Sequence, residues 1–434
     1  NMDCLTKFDS PQLKTLHSGK VRDSIRIDDK TRMIVVTDRI SAFNKKIKTA
    51  IPTKGAVLNG IANFWFEQTK HIIDNHVIEQ IDASITLVKE AEPLRVEMVV
   101  RGYLTGSMWR GYEKGKRQIS DVVVPDGMVK NQKFDQPILT PTTKDDIDSE
   151  INEQGIVEGG LVTAEIYQQM KTKAIELFTF GSEFLAARGI VLVDTKYEFG
   201  LLEGQLILID EIHTPDSSRF WSLEDYKKNP ATAEQIDKEF VRQWMLANKV
   251  KGEVPTILSP EVVVETSRRY QEIYKAVTGT EFSLVDLPTK VRVYNNLVKA
   301  GIIRPGFVAI IMDDEDDLED CTVLKELVEA YDICVDLRVI SADRNGARIP
   351  EVAAIYNTSI EPVAVIVVGP PSLGTALMAN LGVPVIDGME APMDSVLRAA
   401  VSSLNIHAIR AQIAQEIIET RQYLDEADAA IRNV

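Results

Sequence analysis

From Pro305 onward the chain changes its rhythm, and this change constrains the fold more than any single motif. Apolar, β-branched runs at Val308–Met312, Val335–Ile340, Val363–Val368 and Val383–Ile386 are separated by segments of helical spacing, the first over Leu318–Tyr331. Strands alternating with helices at this interval predict a parallel, doubly wound α/β sheet. Before Pro305 the pattern differs. Up to about residue 100, runs such as Met33–Val36 and Glu97–Val100 alternate with Gly and Pro around one amphipathic helix near Leu58–Thr69, which predicts a small sheet-rich lobe. Residues 101–280 predict a second, α+β lobe. It contains a helix over Thr163–Arg188 stopped by Gly189, strands Ile190–Asp194 and Leu206–Asp210 joined at Glu203-Gly204, and a helix opened by Ser259-Pro260 and closed by Gly279. Residues 281–304 read as a helical linker and 305–434 as the C-terminal domain, whose last helix, Ala408–Arg432, is long enough to pack on another subunit.

Charge separates the same parts. From Pro305 there are 22 acidic residues against 8 basic, and before it 43 against 41, within a net charge of -16. An acidic chain of this kind does not bind nucleic acid through its phosphates, which need clustered Lys and Arg. With 434 residues, 44% hydrophobic, it buries a core in two or three domains. No window approaches a membrane span, and the start lacks the apolar stretch of a secretory signal, so a cytoplasmic protein without membrane contact is expected. Cys4, Cys321 and Cys334 make neither a disulfide framework nor a zinc set and read as free thiols. The Asn before Met2 reads as foreign to the natural start.

Three segments can carry chemistry. Ser18-Gly19-Lys20-Val21-Arg22-Asp23 offers a glycine turn with two cations, suited to covering nucleotide phosphates, although no Walker A loop or Gly-x-Gly-x-x-Gly helix start occurs. In VLVDTKYEFG, strand alternation puts Asp194, Lys196 and Glu198 on one face. Glu198 and Asp210, on adjacent strands, can hold a hard divalent cation while Lys196 neutralises an anion; a buried salt-bridge cluster is the competing reading. Thr214-Pro215-Asp216-Ser217-Ser218-Arg219 is a turn of short donors ending in an arginine fork, able to take a phosphate monoester, or else a plain turn. Arg101 to Ser107 repeats the theme.

Five ordered blocks, GKVRD, TDRISAF, VRGYLTGS, VDTKYEFG and IDEIHTPDSSRFW, resemble the SAICAR synthetase family of purine biosynthesis over about residues 10–250. The resemblance implies a two-lobed ligase with a kinase-like N-lobe sheet. It also implies joining L-aspartate to 4-carboxy-5-aminoimidazole ribonucleotide (CAIR) through an acyl phosphate, with ATP and Mg2+. By likeness, Gly19, Lys20 and Arg22 would meet ATP phosphates, the strand from Glu97 the adenine, and Glu198 and Asp210 the Mg2+, Asp210 thereby also reaching the nucleotide. Lys196, oriented by Asp194, and Arg101 would serve catalysis. Arg101, Ser107, Asp216, Ser217, Ser218, Arg219, Lys144, Asp38 and Arg39 would hold substrate. One departure concerns recognition: Thr140–Ile151 reads TPTTKDDIDSEI, lacking the family's His-Asp, with Lys144 and Asp148 as counterparts.

The region from Phe307 resembles an AIR carboxylase domain, flavodoxin-like, in outline but not in chemistry. Where the family places Gly and Ser around a phosphate, this chain has Asp313-Asp314-Glu315-Asp316-Asp317, and Asp343 replaces the family's histidine; His407 is far away. Carboxylates repel a phosphate dianion, by about 4 kcal/mol per pair of charges at 4 Å. An inactive domain that assembles a homo-oligomer is expected. His213 reads as structural, His71 and His76 as poorly spaced for a metal, and Trp221 as packing near the phosphate turn. Two other functions stand beside this one: a related amide ligase acting on another heterocyclic carboxylate, which the altered segment and the decayed partner domain motivate, and a scaffold with both halves decayed, against which Lys196, Glu198 and Asp210 together speak.

Overall fold

The computed structural model describes residues 3–42, 45–144, 149–233, 236, 239–250, 252–389 and 395–404. Asp148, His407 and the helix expected over Ala408–Arg432 lie outside them. The first sheet is antiparallel, built from β1 (Lys14–Ser18), β2 (Arg22–Arg26), β3 (Thr31–Val36), β4 (Val77–Asp82) and β5 (Ile85–Lys89) in the order β1-β2-β3-β5-β4. Helix α1 (Lys54–Gln68) follows β3 and buries Val57, Leu58, Ile61, Trp65 and Phe66. That spacing is one helical face, so α1 closes the core between the lobes.

The second sheet is also antiparallel. It comprises β6 (Glu92–Tyr103), β7 (Lys133–Leu139), β8 (Ile190–Leu202), β9 (Gln205–Ile209) and β10 (Ser218–Ser222) in the order β7-β6-β8-β9, with β10 also on β8. Helix α2 (Gly106–Glu113) leaves the end of β6. Helix α3 (Ala164–Ala186), capped by the Thr163 side chain, lays Tyr167, Met170, Ala174, Leu177 and Phe178 on the sheet, and α4 (Pro260–Thr278) packs beside α1. The strand expected over Ile190–Asp194 is thus much longer, because Thr195 to Leu202 keep the alternation. A boundary at residue 100 falls inside β6.

Residues 281–304 are not a free tether. They contain α5 (Thr289–Lys299), whose Val293 and Leu297 cover the outer face of the first sheet with Ile25, Met33, Val35 and Ile85. The Arg292 guanidinium donates to the buried Asp82 carboxylate at 2.5 Å, and Asn296 donates to its other oxygen at 2.7 Å. Such a pair is satisfied at both ends, as a buried carboxylate requires.

Beyond Pro305 stands a parallel sheet of β11 (Phe307–Met312), β12 (Cys334–Val339), β13 (Val363–Val368) and β14 (Val385–Asp387), ordered β12-β11-β13-β14. Every residue of β11 and β13 is buried, the mark of strands covered on both faces. Helix α6 (Leu318–Glu329) and the helix over 395–404 cover one face, and α7 (Ile349–Thr358) with α8 (Pro371–Asn380) the other. Among the described residues no helix is long and apolar enough to cross a membrane.

Candidate active site

Strand β8 organises the site because its partner changes along its length. On one side Asp194 to Leu201 pair with β6; on the other, β10 pairs with its first half and β9 with its second. Between them the loop 210–217 crosses β8 at Lys196, whose backbone N–H donates to Ser217 O at 3.0 Å. Asp210 and His213 both have positive φ, 67° and 48°, which turns the loop tightly enough to stay over the strand. One cleft opens on each side of this crossing.

The first cleft, about 710 Å³, lies between the two sheets and is lined by Gly19, Lys20, Arg22, Glu97, Lys144, Lys196, Glu198 and Asp210, among others. Glu198 and Glu97 are cross-strand neighbours. Lys196 Nζ sits between them, 2.7 Å from Glu97 Oε1 and 3.1 Å from Glu198 Oε1, and Lys144 bonds the other Glu198 oxygen. Burial alone would raise the Glu198 pKa, but the Lys196 and Lys144 ammoniums outweigh it and hold it at about 2. The same balance raises Lys196: burial disfavours its charge, and Glu198 and Glu97 more than compensate. For Asp210 the Arg22 and Lys196 cations do not outweigh the opposing causes. Burial first, then the Glu198 charge, push its carboxyl to about 7. Two buried carboxylates with hard oxygens, one straining to stay ionised, form a donor set that fits a divalent cation. Among the described residues no group of three or more His, Cys, Asp or Glu is placed to hold a metal ion.

The second cleft, about 860 Å³, is lined by Gly106, Ser107, Arg110, Lys130, Asp194, Asp216, Ser217, Ser218, Arg219 and Trp221. Register explains its floor: Asp194 has Arg101 opposite on β6 and Arg219 opposite on β10. Its carboxylate takes Arg219 at 2.9 and 3.0 Å and Arg101 at 3.4 Å. The Arg219 guanidinium packs on Gly106, where φ is +59° and an added Cβ would lie 2.0 Å from Nη1. Within the turn, Ser218 bonds Thr195 at 2.7 Å, and the Ser217 hydroxyl meets Thr214 N at 3.1 Å. Asp216 lines both clefts, held by the fully buried Lys54 at 2.9 Å.

The structure thus gathers most of the sequence-predicted residues, but it divides them. Alternation places Asp194 with Lys196 and Glu198; in three dimensions Asp194 serves the arginines of the second cleft and makes no bond to Lys196. Arg22 lines the first cleft with its guanidinium engaged by Glu211. Asp38 and Arg39 line neither cleft. Asp38 accepts the backbone N–H groups of Leu5 and Gly55, both at 2.8 Å, and burial raises it to about 6. Arg39 binds Asp23 at 2.8 Å and Gly19 O at 3.0 Å, so it braces the glycine turn from behind. His213 is structural as expected: its Nε2 meets Tyr197 Oη at 2.6 Å, and burial lowers its pKa to about 3. Sequence reasoning missed Lys54, Glu211, Arg110 and Lys130. The first two act through partners over 160 residues away, a distance no local pattern spans.

A model of the SAICAR synthetase family matches residues 15–257. The phosphoribosylaminoimidazole-succinocarboxamide synthases of Azobacteroides pseudotrichonymphae and Bacteroides fragilis are 42% and 43% identical over 285 and 293 residues. These alignments cover 64% and 65% of this chain and 88% and 93% of the relatives. Among solved structures, the SAICAR synthase of Saccharomyces cerevisiae in complex with SAICAR aligns with a TM-score of 0.60 at 32% identity, covering 64% of this chain and 100% of that one.

Proposed function

The chain belongs to the SAICAR synthetase family, the phosphoribosylaminoimidazole-succinocarboxamide synthases, and from that membership we propose how it joins L-aspartate to CAIR, yielding SAICAR, ADP and phosphate in de novo purine biosynthesis. ATP occupies the first cleft, its adenine beside the β6 strand from Glu97 and its phosphates under Gly19 and Lys20. CAIR occupies the second, its 5′-phosphate on Arg219 with Ser107, Ser217 and Ser218. The observation that carries this reading is the meeting of the two clefts at Asp216, beside Lys196.

A carboxylate is a poor electrophile, so activation comes first. An oxygen of the CAIR carboxylate attacks the γ-phosphorus, the bond to ADP breaks, and an acyl phosphate forms. The aspartate amine then attacks the acyl carbon, phosphate leaves, and the amine loses a proton. Glu198 and Asp210 hold Mg2+, which when bound neutralises phosphate oxygens. Lys196, kept cationic by Glu97 and Glu198, faces the charge that develops as the phosphoryl group moves. Asp194 fixes Arg101 and Arg219 so that neither guanidinium is reoriented on binding.

The C-terminal α/β part is a flavodoxin-like relic of an AIR carboxylase without that activity, assembling a cytoplasmic homo-oligomer. Supporting this, Asp313 and Asp314 fill the strand end where a phosphate would need donors, with Arg344 bonded to Asp313 O at 2.8 Å. The test is ADP release with CAIR and aspartate, alone and with other amino acids or heterocyclic acids. Wild type should require CAIR and aspartate, and Lys196→Met should lose about 10²- to 10³-fold in kcat, as for removal of a preorganised charge donor. A Lys196→Met variant of full activity, or conversion of AIR and CO2 to CAIR, would overturn the respective part.

A further inference from the structure

Strand β1 carries the glycine turn, yet little holds it. It is an edge strand, exposed at every position, paired only with β2 and broken in register between Thr15 and His17. Edge elements with so few buried contacts take their position from whatever anchors their ends. One anchor is the turn before it, where Leu13 N donates to Ser10 O at 3.3 Å, and that turn is gripped from the C-terminal body. Ser10 Oγ donates to Glu361 Oε1 at 2.8 Å, and Gln12 Nε2 donates to Glu361 Oε2. Gln12 also brackets the main chain of Arg304, accepting from its N–H at 2.9 Å and donating to its carbonyl at 3.0 Å. Beside them Ile360 N donates to Asp9 O at 2.9 Å, and the Ile360 side chain packs with Leu5 and Phe8. Glu361 is only 3% exposed, so its carboxylate depends on these donors.

The gripped segment also reaches the cleft. Leu5 N donates to Asp38, which accepts Gly55 N at the start of α1, and Phe8 N donates to Asp23 at 3.4 Å. Asp23 in turn takes Arg39, and Arg39 donates to the Gly19 carbonyl. Residues 5–12 therefore touch both Glu361 and Asp23, whose partner Arg39 holds the Gly19 carbonyl of the phosphate turn.

We propose that Glu361 is a positioning residue for nucleotide binding: the C-terminal body, through Glu361 and the segment 5–12, sets where Gly19 and Lys20 lie over the first cleft. The inference rests on the nucleotide reading of that cleft. It gives the C-terminal body a task in the ligase that needs no chemistry of its own.

The experiment uses the full chain with Glu361→Ala, Glu361→Gln and Ser10→Ala, comparing KM for ATP, KM for CAIR, kcat and the Kd of ADP. Glu361→Ala should raise KM for ATP and the Kd of ADP by about 5-fold or more, the low end of coupling between distinct sites, with KM for CAIR within about two-fold of wild type. Glu361→Gln, which keeps an acceptor for Ser10, should recover most of the loss. An Ala variant with unchanged ADP affinity, or one whose two KM values rise together, would overturn the proposal, since uniform loosening is what a merely structural contact gives. Should Glu361→Ala not fold, Ser10→Ala removes one donor only and must show the same split. Wild type that binds ADP but makes no SAICAR would overturn the ligase reading and leave the ADP comparison to decide this one.

Discussion

Substituting Gly106 by alanine tests the second cleft from beneath. Its φ of +59° and the 2.0 Å between a built Cβ and Arg219 Nη1 mean that the methyl and the guanidinium cannot both stay. Two costs follow and can be measured separately. Left-handed backbone at alanine costs about 1–2 kcal/mol of stability. Displacing Arg219 forfeits a charge-assisted contact with the CAIR phosphate, about 1.5–3 kcal/mol, which is about a 10- to 100-fold fall in kcat/KM for CAIR. The first cleft opens beyond the 210–217 loop and is lined by neither Gly106 nor Arg219, so KM for ATP should stay within about two-fold of wild type. The assay is steady-state ADP release with each substrate varied in turn, alongside a denaturant titration. Adding Arg219→Ala should cost Gly106→Ala little more, because both remove one interaction. If kcat/KM for CAIR survives Gly106→Ala in a folded protein, Arg219 does not hold the phosphate and the placement of CAIR is wrong.

Two further outcomes concern charge. Asp210→Asn should raise the Mg2+ concentration for half-maximal ADP release by about 10-fold or more, the scale for damaged metal sites, and an unchanged Mg2+ titration would refute the ligand assignment. His213 has its pKa lowered by burial from 6.5 to about 3, so the unfolded chain binds the proton more readily. Stability is then lost as pH falls below 6.5 toward 3, by about 2 kcal/mol at pH 5. The drop in unfolding free energy between pH 7.5 and 5 should shrink by about that amount in His213→Gln; identical drops would show that the imidazole is not kept neutral by the fold.

Much of the frame was legible because it is periodic. The strand–helix alternation after Pro305 foretold four parallel strands, and the alternation from Val191 to Gly200 placed Lys196 and Glu198 together. What periodicity cannot show is where a strand changes partners. Asp194 and Lys196 share a face of β8, but the hand-over from β10 to β9 sends them to opposite sides of the crossing loop. Pairings between separate segments were equally hidden: by likeness Arg39 is expected to hold substrate, yet Asp23 claims it, and nothing local marks Lys54 as the partner of Asp216. The glycines were ambiguous for a related reason, since Gly106 needs both its positive φ and the arginine that only β10 delivers.

The docking of α5 bears on how the molecule can be divided. Residues 283–287 lie outside regular structure and largely at the surface, so a protease would find them first, yet a nick there would leave both fragments clasped through Asp82, Arg292 and the apolar seam around Val293. Trimming the chain at residue 280 to isolate the family-matched portion would strip Asp82 of its cation, and an orphaned buried charge costs about 3–5 kcal/mol. An expression boundary drawn by homology alone would then yield a fragile fragment, whereas one that ends after Gly301 keeps the clasp with its sheet.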